Sequence, residues 1–201
     1  AGPRADPPAG SAHRVIDNRL AVAEDAPTRA KRLRDEATIE ERESQAPEPA
    51  LALFGRALEQ QPEDTRLEAE VLRLAESTEA FAVAADAFRA AAAATDGPRR
   101  AHLRSIEAHL RSEKLGDAAG ALDAALGALD ADPLRESYAD HVVALCQTTD
   151  PRVEDVLRRA ALAPNAPPGH MRRLLSVERL AEDADLFATL WAPPRLPLIP
   201  S

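Results

Sequence analysis

Along the middle of the chain, apolar residues recur with the spacing of one face of a helix. Leu67, Val71 and Leu74 form one such stripe, Leu103, Ile106 and Leu110 a second, and Tyr138, Val142 and Leu145 a third. Their leading residues are 36 and 35 apart. Between the stripes runs a different pattern, small-x3-large-x2-Ala followed by a short exit. It reads Ala50, Phe54, Ala57, Pro62; then Ala84, Phe88, Ala91, Asp96; then Ala121, Ala125, Ala128, Pro133. Fainter versions stand at Val156, Ala160, Ala163, Pro168 and at Ile16, Leu20, Ala23 ahead of Pro27. The leading positions 16, 50, 84, 121 and 156 are spaced 34, 34, 37 and 35. No stretch shows strand-like alternation.

Proline punctuates the same period, because it lacks an amide hydrogen and favours helix starts and linkers. Pro27, Pro62, Pro98, Pro133 and Pro167 are separated by 35, 36, 35 and 34. Each interval divides at a second group of turn residues: 45–49, Ser77-Thr78, Leu115-Gly116-Asp117, 148–151 and Glu182-Asp183. Every period is thus expected to hold two helices of roughly 12 to 16 residues. Thr65-Arg66-Leu67-Glu68 has the spacing of a capping box. Asp132-Pro133 and Asp150-Pro151 each set a capping Asp before a proline at the first helical position.

The small, bulky, small, proline pattern of the second helices, with the Leu115-Gly116-Asp117 turn, resembles the tetratricopeptide repeat (TPR). The resemblance spans roughly residues 12 to 190. The first helices depart from it, lacking its Trp and its small-residue/Tyr pair; where a small residue is expected stand Val71, Glu107 and Val142. The fold implied is all-α, a right-handed α-solenoid of about five TPR-like helical hairpins. A compact Ala-rich helical bundle is the competing arrangement.

The expected organisation is a flexible linker at 1–11 ("AGPRADPPAGS"), the TPR-like α-solenoid at 12–191, and a Pro-rich tail at 192–201 ("APPRLPLIPS"). A terminal helix with Leu186, Leu190 and Trp191 is expected to cap the last repeat. Pro194, Pro197 and Pro200 suit a polyproline helix or a simple linker.

Charge and composition narrow the function classes. The 201 residues are 45% hydrophobic, enough for a core, and carry a formal charge of -9, which speaks against nucleic acid or an anionic membrane surface as partner. Lysine occurs only at Lys31 and Lys114, and this Arg and Ala bias suggests a GC-rich bacterial genome. Cys146 is the sole cysteine, so an intrachain disulfide is excluded. No apolar run approaches the roughly 20 residues that span a bilayer. A soluble, cytoplasmic protein is expected, or an extracytoplasmic one if a signal segment preceded Ala1.

The chain shows no nucleophile elbow, phosphate loop, zinc-protease helix or dinucleotide fingerprint. His102 and His109 share a helical face with Glu113 one turn on, but solvated surface histidines are the simpler reading. Glu107 and Arg111 are expected to pair on a solvated face. A non-catalytic protein without cofactor or metal follows.

The resemblance implies a concave groove lined by first helices, with Glu68, Leu72 and Glu76, then Arg104 and Arg111, then Glu136 and Val143 as partner-binding residues. There a protein or peptide segment anchors apolar side chains near Leu72 and Val143 while Arg104 and Arg111 take carboxylates. Equally, Leu72 and Val143 pack against the next hairpin. The expected function is a protein-protein interaction scaffold or adaptor. The alternative is a regulatory or accessory domain of a larger enzyme or of a cell-envelope assembly complex. Oligomeric state is left open.

Overall fold

Asp25 accepts the Thr28 amide at 2.9 Å and so starts the first helix, α1 (Ala26–Glu43), by satisfying one of its free N–H groups. The computed structural model describes residues 25–43, 47–146 and 150–176, with side chains as far as Leu174. All secondary structure among them is helical. The linker at 1–11, the faint repeat at Ile16, the terminal cap helix and the tail at 192–201 lie outside the described residues, as does the turn at Glu182-Asp183.

Helix α2 (Glu48–Gln60) opens on Pro49, and α3 (Thr65–Thr78) opens on Asp64, whose carboxylate accepts from the Arg66 and Leu67 amides. The capping box expected at Thr65 is therefore displaced by one residue, and Glu68 is turned to other use. Glu79, with φ of 57°, closes α3, and α4 (Phe81–Ala93) follows. Helix α5 (Gly97–His109) runs on into a widened π turn, Leu110–Lys114, in which the Leu115 amide donates to the Leu110 carbonyl at 3.2 Å. Gly116, at φ of 63°, reverses the chain, and Asp117 caps α6 (Ala118–Ala131) through the Gly120 amide.

Asp132 does not cap the next helix: it ends α6, and α7 (Glu136–Leu145) starts beyond the Asp132–Arg135 turn. Asp150 does cap α8 (Pro151–Leu162), accepting the Arg152 amide at 2.9 Å. The last described element is α9 (Pro168–Ser176).

Each helix packs chiefly on elements one or two places away: α1 on α2, α2 on α3 and α4, α4 on α5, α5 on α6, α6 on α7 and α8, and α9 on α7 and α8. The repeating stripes are what they bury. Ala50, Phe54, Ala57, Ala84, Phe88, Ala91, Ala121, Ala125 and Ala128 are all buried, as are Leu67, Val71, Leu74, Leu103, Leu110 and Val142. Ile106 and Leu145 are only partly so. Burying Phe88 fully contributes roughly 2 to 3 kcal/mol. Gly55 lets α2 and α4 cross closely, since a Cβ there would stand 2.7 Å from that of Ala87.

Two apolar cores result. The first joins α1 to α4 with Leu103 of α5 and Leu110 of the π turn; the second joins Ala101 and Ala108 of α5 to α6–α9. Helix α5 is the wall they share.

Candidate interaction surface

The face expected to line an open groove is largely occupied by neighbouring helices. Glu68 receives Arg99 Nη1 at 2.8 Å and His102 Nε2 at 3.0 Å, both from α5, and Glu76 receives Lys114 Nζ at 3.0 Å. Leu72, beside them, is partly buried against the first core. Farther along, Glu136 and Asp140 of α7 both hold Arg173 of α9, at 3.3 and 2.5 Å. That bond to Arg173 holds the Asp140 carboxyl below the usual carboxylate range. Val143 packs partly buried against the second core.

Arg104 and Arg111 are likewise engaged. Glu107, only 1% exposed, accepts from Arg104 Nη1 at 2.6 Å and from Arg111 Nε at 2.9 Å. Arg104 also reaches the Asp123 carboxylate and carbonyl, both at 3.0 Å, and Arg111 reaches Asp117 at 2.9 Å and Asp86 at 3.0 Å. Burial opposes the charge on Arg111, but Glu107 and Asp117 outweigh it and hold the guanidinium above its usual range. The Gly120 amide first, and Arg111 second, hold Asp117 below its own.

The expected Glu107–Arg111 pair thus exists but is not solvated. Glu107 occupies the same inward position as Val71 and Val142, and a carboxylate survives there because two flanking guanidinium groups replace its water. Gly127 makes room for one of them, for a Cβ there would stand 2.7 Å from Arg104 Nε.

The ion pairs between successive hairpins span from 25 residues, Asp86–Arg111, to 38, Glu76–Lys114, scattered about the sequence period. Glu41–Arg73 spans 32 residues, Glu68–His102 34, Asp140–Arg173 33, and Asp123–Arg152 and Asp130–Arg159 29 each. Among the described residues, every such pair takes its carboxylate from the earlier hairpin and its base from the later one.

Comparison with family models, curated proteins and solved structures returns no match.

Open concavities touch the expected face at Arg104 but otherwise lie beside it. One, of about 470 Å³, sits between α4, α5 and α6 on a floor of Ala92, Gly97 and Gly127, with Arg89, Arg100 and Arg104 around it. A second, of about 460 Å³, continues from Arg104 and Gly127 to Leu126 and Val156, toward α8. Their arginines are largely committed: Arg89 to Asp86, Arg100 to the carbonyls of Ala92 and Thr95, and Arg152 and Arg159 to aspartates.

The third, of about 540 Å³, opens between α1 and α3 over Phe54 and Leu67. Its α1 wall carries Arg34, Thr38, Glu41 and Arg42, a helical stripe already legible in the sequence. What the sequence withheld was that Arg66 and Arg73 of α3 stand on the opposite wall.

The histidines gather no ligand set: among the described residues no three His, Cys, Asp or Glu side chains are placed to hold a metal ion. His102 is tied to Glu68, whereas His141 of α7 is shifted downward by burial first and by nearby His109 second. No described helix is long and apolar enough to cross a membrane.

Proposed function

We propose that this chain is a non-catalytic scaffold in which TPR-like hairpins stack into a right-handed α-solenoid and hold a segment of another protein. The observation that carries the reading is the set of ion pairs tying equivalent helices of successive hairpins, at separations of 29 to 34 residues. An isolated hairpin cannot bury both faces, so hairpins joined in this serial way build a long, fixed surface instead of a closed pocket. Long fixed surfaces suit peptide or helix recognition, because the scaffold loses little freedom when the ligand seats.

The partner-binding residues are reassigned on this basis. Glu68, Glu76, Arg104, Arg111 and Glu136 act as stitching between helices, and recognition falls to the concavities that the stitching leaves open. Immobilised full-length chain is the test, with lysate of the native source passed over it. A protein retained in stoichiometric amount and displaced by soluble chain supports the scaffold. Retention of nothing, with X-ray scattering of a sphere in place of an elongated particle, overturns both scaffold and solenoid.

A further inference from the structure

Across the described junctions between hairpins acid meets base, and the α1/α3 cleft does the same but with arginines in excess. One such pair is present, Arg73 to Glu41 at 2.8 Å, and Arg73 takes Glu70 as well. Both carboxylates of the cleft are thereby used. Arg34 and Arg42 on one wall and Arg66 on the other are exposed, and no carboxylate among the described residues lies within ion-pair distance of any of them. Like charges lining one concavity of about 540 Å³ repel over distances that salt, with a Debye length of roughly 8 Å, screens only in part. In a chain of formal charge -9, this local excess of positive charge runs against the whole.

We infer that the α1/α3 cleft is a docking site for an acidic peptide segment of a partner protein, and that its carboxylates supply the counter-charges the junction lacks. The inference rests on the scaffold reading above and names the chemistry of its partner. Guanidinium groups suit this ligand, since each presents paired N–H donors to a carboxylate. The apolar lining is secondary. Phe54 and Leu67, 3% and 2% exposed, line the cleft together with Thr38, so an apolar residue between a ligand's acids meets only a narrow apolar surface there.

The test uses the full chain and a fluorescent synthetic peptide in which glutamates flank one phenylalanine. Two controls accompany it: the same peptide with lysines for glutamates, and a single-stranded oligonucleotide. The variant pair Arg34→Glu with Arg66→Glu reverses the cleft. It should fold, because both side chains are exposed and a glutamate at 66 lies in the first turn of α3, where the helix dipole favours it. Arg56→Glu with Arg172→Glu makes the same charge change at exposed positions that do not line the cleft.

The acidic peptide should bind, perturb the Phe54 ring resonances and weaken roughly tenfold or more in the cleft variant but not in the control variant. Absent binding, equal weakening by both variants, or preference for the oligonucleotide each overturns the proposal. A lysate partner captured equally by wild type and cleft variant overturns the cleft while leaving the scaffold standing. A chain that captures no protein overturns the scaffold.

Discussion

Val71 and Glu107 hold the same inward position in two consecutive first helices, and both are buried, yet one is an alkyl group and the other a carboxylate. Around Val71 the core is aliphatic and aromatic, with Phe54 and Phe88 filling it. Around Glu107 the neighbours are Arg104 and Arg111, and the second core beyond is built mainly from alanine, leucine and valine. The difference teaches that repeat geometry dictates which positions point inward, while the surrounding chain decides which chemistry is tolerated there. A buried charge is tolerated only as part of a set.

The harshest way to break the comparison is Val71→Glu, which places the residue of one site into the other without its arginines. An unpaired carboxylate in the first core should cost about 5 kcal/mol and leave the chain largely unfolded at room temperature by circular dichroism. Glu107→Ala should come next, at about 1 to 3 kcal/mol in urea unfolding, because each guanidinium loses its buried partner while Arg104 keeps Asp123 and Arg111 keeps Asp117 and Asp86. Adding Arg104→Met and Arg111→Leu to Glu107→Val should recover most of that loss, since an apolar set of similar volume replaces an ionic one. If Glu107→Ala proves neutral, the network is ornamental and the contrast with Val71 collapses.

A third test exploits histidine. The sequence places none between Asp25 and Ala101, so α1 to α4 contain none, whereas α5 to α9 contain His102, His109, His141 and His170. Burial, and then His109, hold His141 below its usual 6.5, against a smaller opposing effect of Glu113. The unfolded chain therefore takes up that proton first, so the stabilisation is present above about 6.5 and is lost as pH falls through the folded value. Hydrogen-exchange protection, taken relative to intrinsic exchange at each pH, should accordingly fall between pH 7 and pH 5 around α7 before it does in α2 or α3, and His141→Gln should flatten the difference. Equal sensitivity in both regions would count against the assignment.

The smallest effect should come from exposed stitching. Arg159→Ala removes a pair to Asp130 whose members are both more than half exposed, and its cost should stay below about 1 kcal/mol in thermal melts.

Much of the fold was legible because a helix that buries one face must repeat its apolar residues with the helical period. The stripe from Ala50 to Ala57, its copy from Ala84 to Ala91 and the cap at Asp150 all stand where the spacing placed them. The fine punctuation was less secure: Asp64 and Thr65 compete for one cap, and Asp132 can end a helix as readily as begin one. The binding face was the hardest part to read. Periodicity identifies the buried side of α3 but not what lies beside each flank, so Glu68 and Glu76 read as a free surface when they meet α5 and the π turn that follows it. Glu107–Arg111 has the spacing of any surface pair; only its second guanidinium, Arg104, distinguishes the buried case.

The acid-first, base-second order at the seams gives the stack a direction. Whatever hairpin precedes offers carboxylates forward, and whatever follows offers cations back. The residues that carry this order change from seam to seam, Glu41 standing near the end of α1 and Glu68 in the first turn of α3, so each junction has its own register of charges. A hairpin moved to another place in the series, even one of the right shape, would have to acquire the matching charges residue by residue.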